Sequence, residues 1–361
     1  MSSKKRPQFN PEQLNQMQWY LGEETIEDYD DGLITRRTLL RRLIAICGGS
    51  TAAAALMSAC GAPVNAPAAT AAPANAPQSL PTTPTEPTSA PAATAAPADT
   101  ATATAPAATA PAATAAVETP KSGPVLSVPA NDPAIRAEDI TFQSAATITG
   151  YLARPSAEGV YPGVIVIHEN RGLTDHIKDV ARRLAKAGFI ALAPDLVSRS
   201  GKTTAQTDSA QVAGVLGGAN PDDLIADLNA GITLLSTQPG IKSKKVGVVG
   251  FCFGGGYTLR LAAANPNVGA AVCYYGVTPQ PASLMAATNA AVLGQYGGAD
   301  ARVNGAIPAL EEALTGAGKT FEKHIYDGAG HAFNNDTGQR YDEKTAVEAW
   351  SRTLAWFVKY L

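Results

Sequence analysis

Val248-Val249-Gly250-Phe251-Cys252-Phe253-Gly254-Gly255-Gly256 places a thiol between two glycines where an apolar run gives way to a helix-forming stretch. This is the Gly-x-nucleophile-x-Gly pattern of a nucleophile elbow, with Cys in place of Ser. A strand that turns at once into a helix leaves little room, so Gly250 and Gly254 remove side chains that would collide. The turn sets Cys252 at a helix N-terminus, whose dipole favours a thiolate. It also leaves the backbone NH of Phe253 to hold an oxyanion. The competing reading, a buried Cys in a glycine-rich turn, needs no chemistry. The strand before and the helix after are what the elbow requires.

Working outward, strands and helices alternate. Lys245–Gly250 reads as a strand buried on both faces and Gly254–Ala264 as a helix. Upstream, Ile140–Phe142, Ala146–Ala153, Gly163–His168 and Phe189–Ala193 read as strands. Residues 175–187 place Ile177, Val180, Ala181, Leu184 and Ala185 on one helical face, closed by Gly188. Pro221 and Asp222 open a helix carrying Leu224, Ile225, Leu228 and Ile232. Downstream, Gly269–Tyr275, Ala290–Tyr296 and Thr320–Tyr326 read as strands, and Val303–Gly316 as a helix. Asp342–Leu361 reads as an amphipathic helix with Trp350, Leu354, Phe357 and Val358 on its apolar face. This order predicts an α/β-hydrolase fold over residues 125–361: a mostly parallel sheet with helices on both faces. The chain is 45% hydrophobic and 16% charged, enough apolar material for that core. A net charge of -3 supplies no basic field, so nucleic acid is not an expected partner.

Chain order extends the chemistry. In this fold an acid and then a His follow the nucleophile. Gly297-Gly298-Ala299-Asp300 sets a carboxylate after one strand, and Gly328-Ala329-Gly330-His331 sets a His in a loop after the next. Of the four His, His324 falls within a strand and reads as structural, leaving His331 as the base. Glu169 follows an apolar strand directly, at the sheet edge where ligands bind. No His/Cys cluster has metal-ligand spacing and no phosphate loop follows a strand, so neither metal nor cofactor is expected.

Five blocks in order carry a family resemblance over roughly residues 130–361. They are His168-Glu169-Asn170-Arg171-Gly172, Ala193-Pro194-Asp195-Leu196-Val197-Ser198-Arg199, the Cys252 elbow, Gly297-Gly298-Ala299-Asp300 and Gly330-His331-Ala332-Phe333. The domain resembles the dienelactone hydrolases, or carboxymethylenebutenolidases. The resemblance implies Cys252 as nucleophile, His331 as its base and Asp300 as the group orienting His331. It implies Glu169 as the resting partner of the thiol, and the NH groups of Asn170 and Phe253 as the oxyanion hole. Arg199 matches an arginine that grips a substrate carboxylate, and Arg171 contacts either substrate or a nearby acid. The family's second arginine, shortly after the His, is missing: no Arg follows His331 until Arg340. The implied reaction is hydrolysis of a small-molecule ester or lactone through an acyl-thioester. Rival readings are a broad carboxylesterase or thioesterase, and a ligand-binding lipoprotein without turnover.

The first 60 residues read as a targeting region. Thr35-Arg36-Arg37-Thr38-Leu39-Leu40 precedes an apolar run from Leu43 to Ala59, which suggests twin-arginine export. Met57-Ser58-Ala59-Cys60 resembles a lipoprotein processing box, with Met where Leu is usual, and makes Cys60 the lipidation candidate. An uncleaved membrane helix is the alternative; either anchors the enzyme to the outer side of a cell membrane. Residues 61–124 are almost wholly Ala, Pro and Thr and read as a disordered linker. Such a tether spans roughly 150 Å when extended and nearer 45 Å as a coil. Cys47 lies in the apolar run and Cys273 in a strand, so no disulfide framework is expected.

Overall fold

Strand β5, Ile241–Phe251, runs into helix α7, Phe253–Ala264, with Cys252 alone between them. Its first half, rich in Lys and Ser, is exposed; from Val246 on it is buried, as its apolar sequence demands. The computed structural model describes residues 14–59 and 127–361, and both segments belong to one compact unit. Cys60 and the 61–124 linker lie outside the described residues.

The sheet has eight strands. They are β1 (Ile135–Gln143), β2 (Thr147–Pro155), β3 (Tyr161–Ile167), β4 (Ile190–Asp195), β5, β6 (Val268–Tyr274), β7 (Ala291–Gly297) and β8 (Phe321–Tyr326). Their spatial order is β1-β2-β4-β3-β5-β6-β7-β8. The β1–β2 and β2–β4 pairs are antiparallel and every other pair is parallel. This is the expected α/β-hydrolase architecture. β5 lies inside the sheet, so its carboxyl end opens where chain crossings diverge to both sides.

Helices follow the strands. α4 (Asp175–Lys186), α6 (Pro221–Ser236) and α10 (Glu343–Tyr360) match the sequence reading, with a short α5 (Val212–Gly218) besides. In α4 the predicted stripe of Ile177, Val180, Ala181, Leu184 and Ala185 is buried, and Gly188 takes the left-handed conformation just past its end. Two expectations are corrected. The single helix over 303–316 is two, α8 (Ala301–Asn304) and α9 (Ile307–Gly316), because the chain turns at Gly305 and Pro308 restarts the helix. On α10, Phe357 is buried but Val358 is 74% exposed: it falls one step round the helix from the packed face.

The first described segment holds three helices: α1 (Gln16–Asp30), α2 (Arg36–Cys47) and α3 (Ser50–Ala59). Asn15 caps α1 through a capping box with Gln18, and Thr35 caps α2. Leu21, Leu39, Leu43, Ile46 and Leu56 are fully buried. A Cβ on Gly22 would meet Leu56, and one on Gly214 of α5 would meet the backbone of Ala45, so these helices pack closely. Among the described residues no single helix is long and apolar enough to cross a membrane. Only Arg36–Cys47 and Ser50–Ser58 together reach that length and composition, and they are bent by 108°.

Candidate active site

The elbow is strained where the sequence places its glycines. Cys252 has φ 56° and ψ -117°, outside the regions an L-residue prefers. A Cβ on Gly250 would lie 2.1 Å from the Gly254 carbonyl oxygen, and one on Gly254 would lie 2.3 Å from that of Ile167. Only glycine lets the turn close against β3. Phe253 is the first residue of α7, so its NH has no partner one turn back. Phe251, Tyr274, Tyr275 and Phe333 pack beneath as an aromatic floor.

His331 and Asp300 arrive from the loops after β8 and β7. Asp300 Oδ2 lies 2.6 Å from His331 Nδ1, and both side chains are buried. Burial pushes the Asp300 carboxyl up, but the bond and charge of His331, helped by Arg302, outweigh it and hold the group below its usual value. The other ring nitrogen, Nε2, is buried without a hydrogen-bond partner.

The partner of the thiol is unexpected. Cys252 Sγ donates to Glu24 of α1, at 3.2 Å from each carboxylate oxygen. It accepts from the hydroxyl of Tyr20 at 3.4 Å. Glu24 Oε1 also lies 3.8 Å from His331 Nε2. Glu169, the expected partner, is instead bonded through Oε2 to Asn335 Nδ2 at 2.7 Å, and its Oε1 is buried without a partner. Two opposing effects act on the thiol. The helix N-terminus favours the thiolate. Burial, then the carboxylates of Glu24 and Glu169, disfavour it more, and the Cys252 thiol is held well above its usual pKa. As arranged, Cys252 is a protonated thiol under a lid of carboxylate.

Asn170 and Arg171 sit at the mouth. Asn170 is buried and Arg171 exposed. Both line a cleft of about 40 Å³ with Glu24, Asp28, Glu169, Ala332 and Arg340. That is room for a few water molecules, not for an ester. Arg199 is elsewhere engaged: its guanidinium binds Asp227 at 2.9 and 3.1 Å and Asp223 at 2.8 Å. Asp227 is fully buried, so freeing Arg199 for a substrate would strand its charge. Arg199 therefore ties the loop after β4 to α6 rather than facing the thiol.

Besides Tyr20, three residues at the site escaped the sequence reading. Tyr275, with φ 37°, packs its ring against that of His331, tilted by 59° with centroids 5.0 Å apart, and its buried hydroxyl has no partner. Arg302, two residues after Asp300, lies over the Tyr20 ring at 4.5 Å. Glu24 joins Cys252 and His331 in a group whose donor atoms fall within 4.8 Å of one another, an arrangement that could hold a metal ion. No ligand spacing shows this in the sequence, because the three come from separate segments. Cys273 contrasts with Cys252: it is buried in β6, its thiol pushed up to about 12 by burial, with no His beside it. His168 is structural, bonded to the Glu169 carbonyl and accepting from the Leu196 NH.

Residues 148–361 match the sequence model of the dienelactone hydrolase family. A Methylorubrum extorquens protein named "Putative carboxymethylenebutenolidase" is 37% identical over 224 residues, covering 59% of this chain and 77% of that protein. An Escherichia coli K12 protein of the same name is 35% identical over 222 residues, covering 58% of this chain and 82% of its own length. Among solved structures, a "Putative Dienelactone Hydrolase" from Klebsiella pneumoniae superposes with a TM-score of 0.59 at 34% identity. It is covered completely, against 63% of this chain.

Proposed function

The chain belongs to the dienelactone hydrolase family and is a hydrolase acting on a lactone or ester; from that premise we propose that it works through a Cys252-His331-Asp300 triad and an acyl-thioester. The observation that carries this reading is the His331 imidazole. One nitrogen is held by Asp300 at 2.6 Å, and the other is unpartnered on the side of the strained thiol.

The chemistry follows from these positions. Cys252 gives its proton to His331 Nε2 and its sulfur attacks the substrate carbonyl carbon. The carbonyl oxygen becomes an oxyanion, held by the NH groups of Phe253 and Asn170. Asp300 stabilises the imidazolium by staying ionised. Collapse of the intermediate breaks the carbon–oxygen bond, and His331 protonates the departing oxygen. Water then loses a proton to His331 as it attacks the thioester, and the acid leaves while Cys252 recovers its proton. Glu169 adjusts the thiol by its charge rather than by a bond.

Arg199 is held by two aspartates, and Arg171 is the cation the resemblance leaves at the rim. Arg199 as arranged offers no grip on a substrate carboxylate, while Arg171 and Arg340 line the cleft. Paired assays decide: a carboxylate-bearing enol-lactone and an uncharged short-chain ester, with the 125–361 domain and its Cys252→Ala variant. Loss of both activities in the variant supports the triad, and the preferred substrate gives the class. Unchanged hydrolysis in Cys252→Ala excludes it. For location, we propose twin-arginine export with Cys60 as the lipid-bearing residue, supported by Arg36-Arg37, the apolar run and the Met57–Cys60 motif. Labelling with a radiolabelled fatty acid, lost in Cys60→Ser, is the test.

A further inference from the structure

Helix α1 lies across the mouth of the site, and its contacts are spread along its length. At its start, Asn15 Nδ2 donates to the Gly217 carbonyl at 3.0 Å. Gln16 donates to the Thr278 carbonyl at 3.0 Å and accepts from Arg260 at 2.7 Å. In its middle, Tyr20 and Glu24 meet Cys252, and both side chains are buried. At its end, Glu27 pairs with Arg302, and Arg340 bonds Asp28 at 2.9 Å and Asp31 at 2.6 Å. Glu27, Asp28 and Asp31 thus meet two arginines of the hydrolase domain. Met17, Tyr20 and Leu21 recur at helical spacing on the buried face. α2 and α3 brace this helix: Gln18 bonds the Ile46 carbonyl at 2.8 Å, Arg42 pairs with Asp28, and Leu56 fills the space beside Gly22.

We infer that residues 16–31 form an intramolecular plug that keeps the enzyme latent, and that the surface they cover, between Arg302 and Arg340, is the substrate entrance. The inference rests on the triad proposed above for what the plug blocks, but the occlusion itself is geometric. Glu24 Oε1 lies 3.2 Å from Sγ and 3.8 Å from Nε2, so its carboxylate covers the side of the thiol and imidazole that a substrate carbonyl would have to reach. The carbon of a carboxylate resists attack by the thiol, so Glu24 fills the site without forming a thioester. The remaining cleft is too small for an ester. Removing residues 1–59, as cleavage before Cys60 would do, withdraws Tyr20, Glu24 and Glu27 together. It leaves Arg302 and Arg340 facing the opened cleft without their carboxylate partners from α1.

The test compares the full parent chain with two variants that unseat α1 without touching the thiol: Leu21→Asp, and the pair Asp28→Arg with Asp31→Arg. Two rates are read, iodoacetamide alkylation of the Cys252 peptide by mass spectrometry and hydrolysis of 4-nitrophenyl acetate. Cys273 must stay unalkylated, which shows that the core of each variant is folded. Expected is alkylation of Cys252 at least tenfold faster in both variants, with a similar rise in hydrolysis. Equal alkylation in parent and variants overturns the plug, as does a parent that already hydrolyses the ester at the variants' rate. Alkylation that rises while no chain hydrolyses the ester upholds the plug and overturns the triad reading instead.

Discussion

Glu24 reaches across 228 positions of sequence to set both carboxylate oxygens 3.2 Å from the sulfur of Cys252. A negative charge that close opposes formation of another. Glu24→Gln keeps the shape of the side chain and removes its charge, so the Cys252 thiol titrates at lower pH in the variant. The sign is fixed: the carboxylate disfavours the thiolate, and its loss favours it. The pH profile of Cys252 alkylation therefore shifts toward neutrality. A profile that stays in place means burial alone holds the thiol up.

Asp300→Asn tests the orientation of His331. The amide is nearly isosteric, but it stabilises no imidazolium and allows the wrong tautomer. The rate constant for ester hydrolysis falls roughly 10⁴-fold, by analogy with serine triads, with little change in thermal stability. A loss below tenfold removes Asp300 from the mechanism.

Gly254→Ala tests the elbow. Its methyl would enter within 2.3 Å of the Ile167 carbonyl oxygen and 2.6 Å of that of His168. Both are backbone atoms of a buried strand end and cannot swing away. Destabilisation of about 3 kcal/mol or more, at the upper end for overpacking, is expected. Denaturant unfolding measures it, and an unchanged midpoint contradicts the packing.

Asp336 gives a pH signature away from the site. It bonds His176 and Arg183, and although burial pushes its carboxyl up, those partners bring it down to about 2. A lowered carboxylate stabilises the fold fully above its unfolded pKa, and the gain is lost as pH falls through the folded one. Solvent at this half-buried carboxylate screens part of the interaction, so the gain is on the order of 1 kcal/mol. Asp336→Asn thus lowers stability at pH 7, and the gap to the parent closes between about pH 4 and pH 2. A gap independent of pH means that packing, not charge, explains the loss.

Much of the hydrolase domain was legible because its signals are local. Apolar runs of strand length, the glycines at 250 and 254, and the turn-bound Asp300 and His331 each declare themselves within a few residues. Chain order then joins them, since the fold brings successive strand ends to one edge. Glu24 was not legible in that way. Nothing near it marks a site, and its partners Cys252 and His331 lie more than 200 residues on. A weak signal did exist. Asn15 with Gln18 is a capping box, and Met17, Tyr20 and Leu21 share a helical face, but a reading of the first 60 residues as a targeting region predicts no helix packed on the hydrolase domain. Arg199 misled for the opposite reason: its position suits a substrate clamp, and only the fold reveals Asp223 and Asp227 around it. The split of 303–316 turned on Pro308, whose preference for the first turn of a helix was readable and was overridden by the apolar spacing on both sides.

The most direct test of the central claim is mass spectrometry of the chain carrying His331→Ala together with Leu21→Asp, which unseats α1, quenched in acid after exposure to 4-nitrophenyl acetate. Without its base, the thioester should form slowly and hydrolyse more slowly still. The account predicts one acetyl group, mapped to the Cys252 peptide and removed by hydroxylamine. An acetyl group on another residue, or ester turnover by the parent with Cys252 never modified and not required, would contradict it.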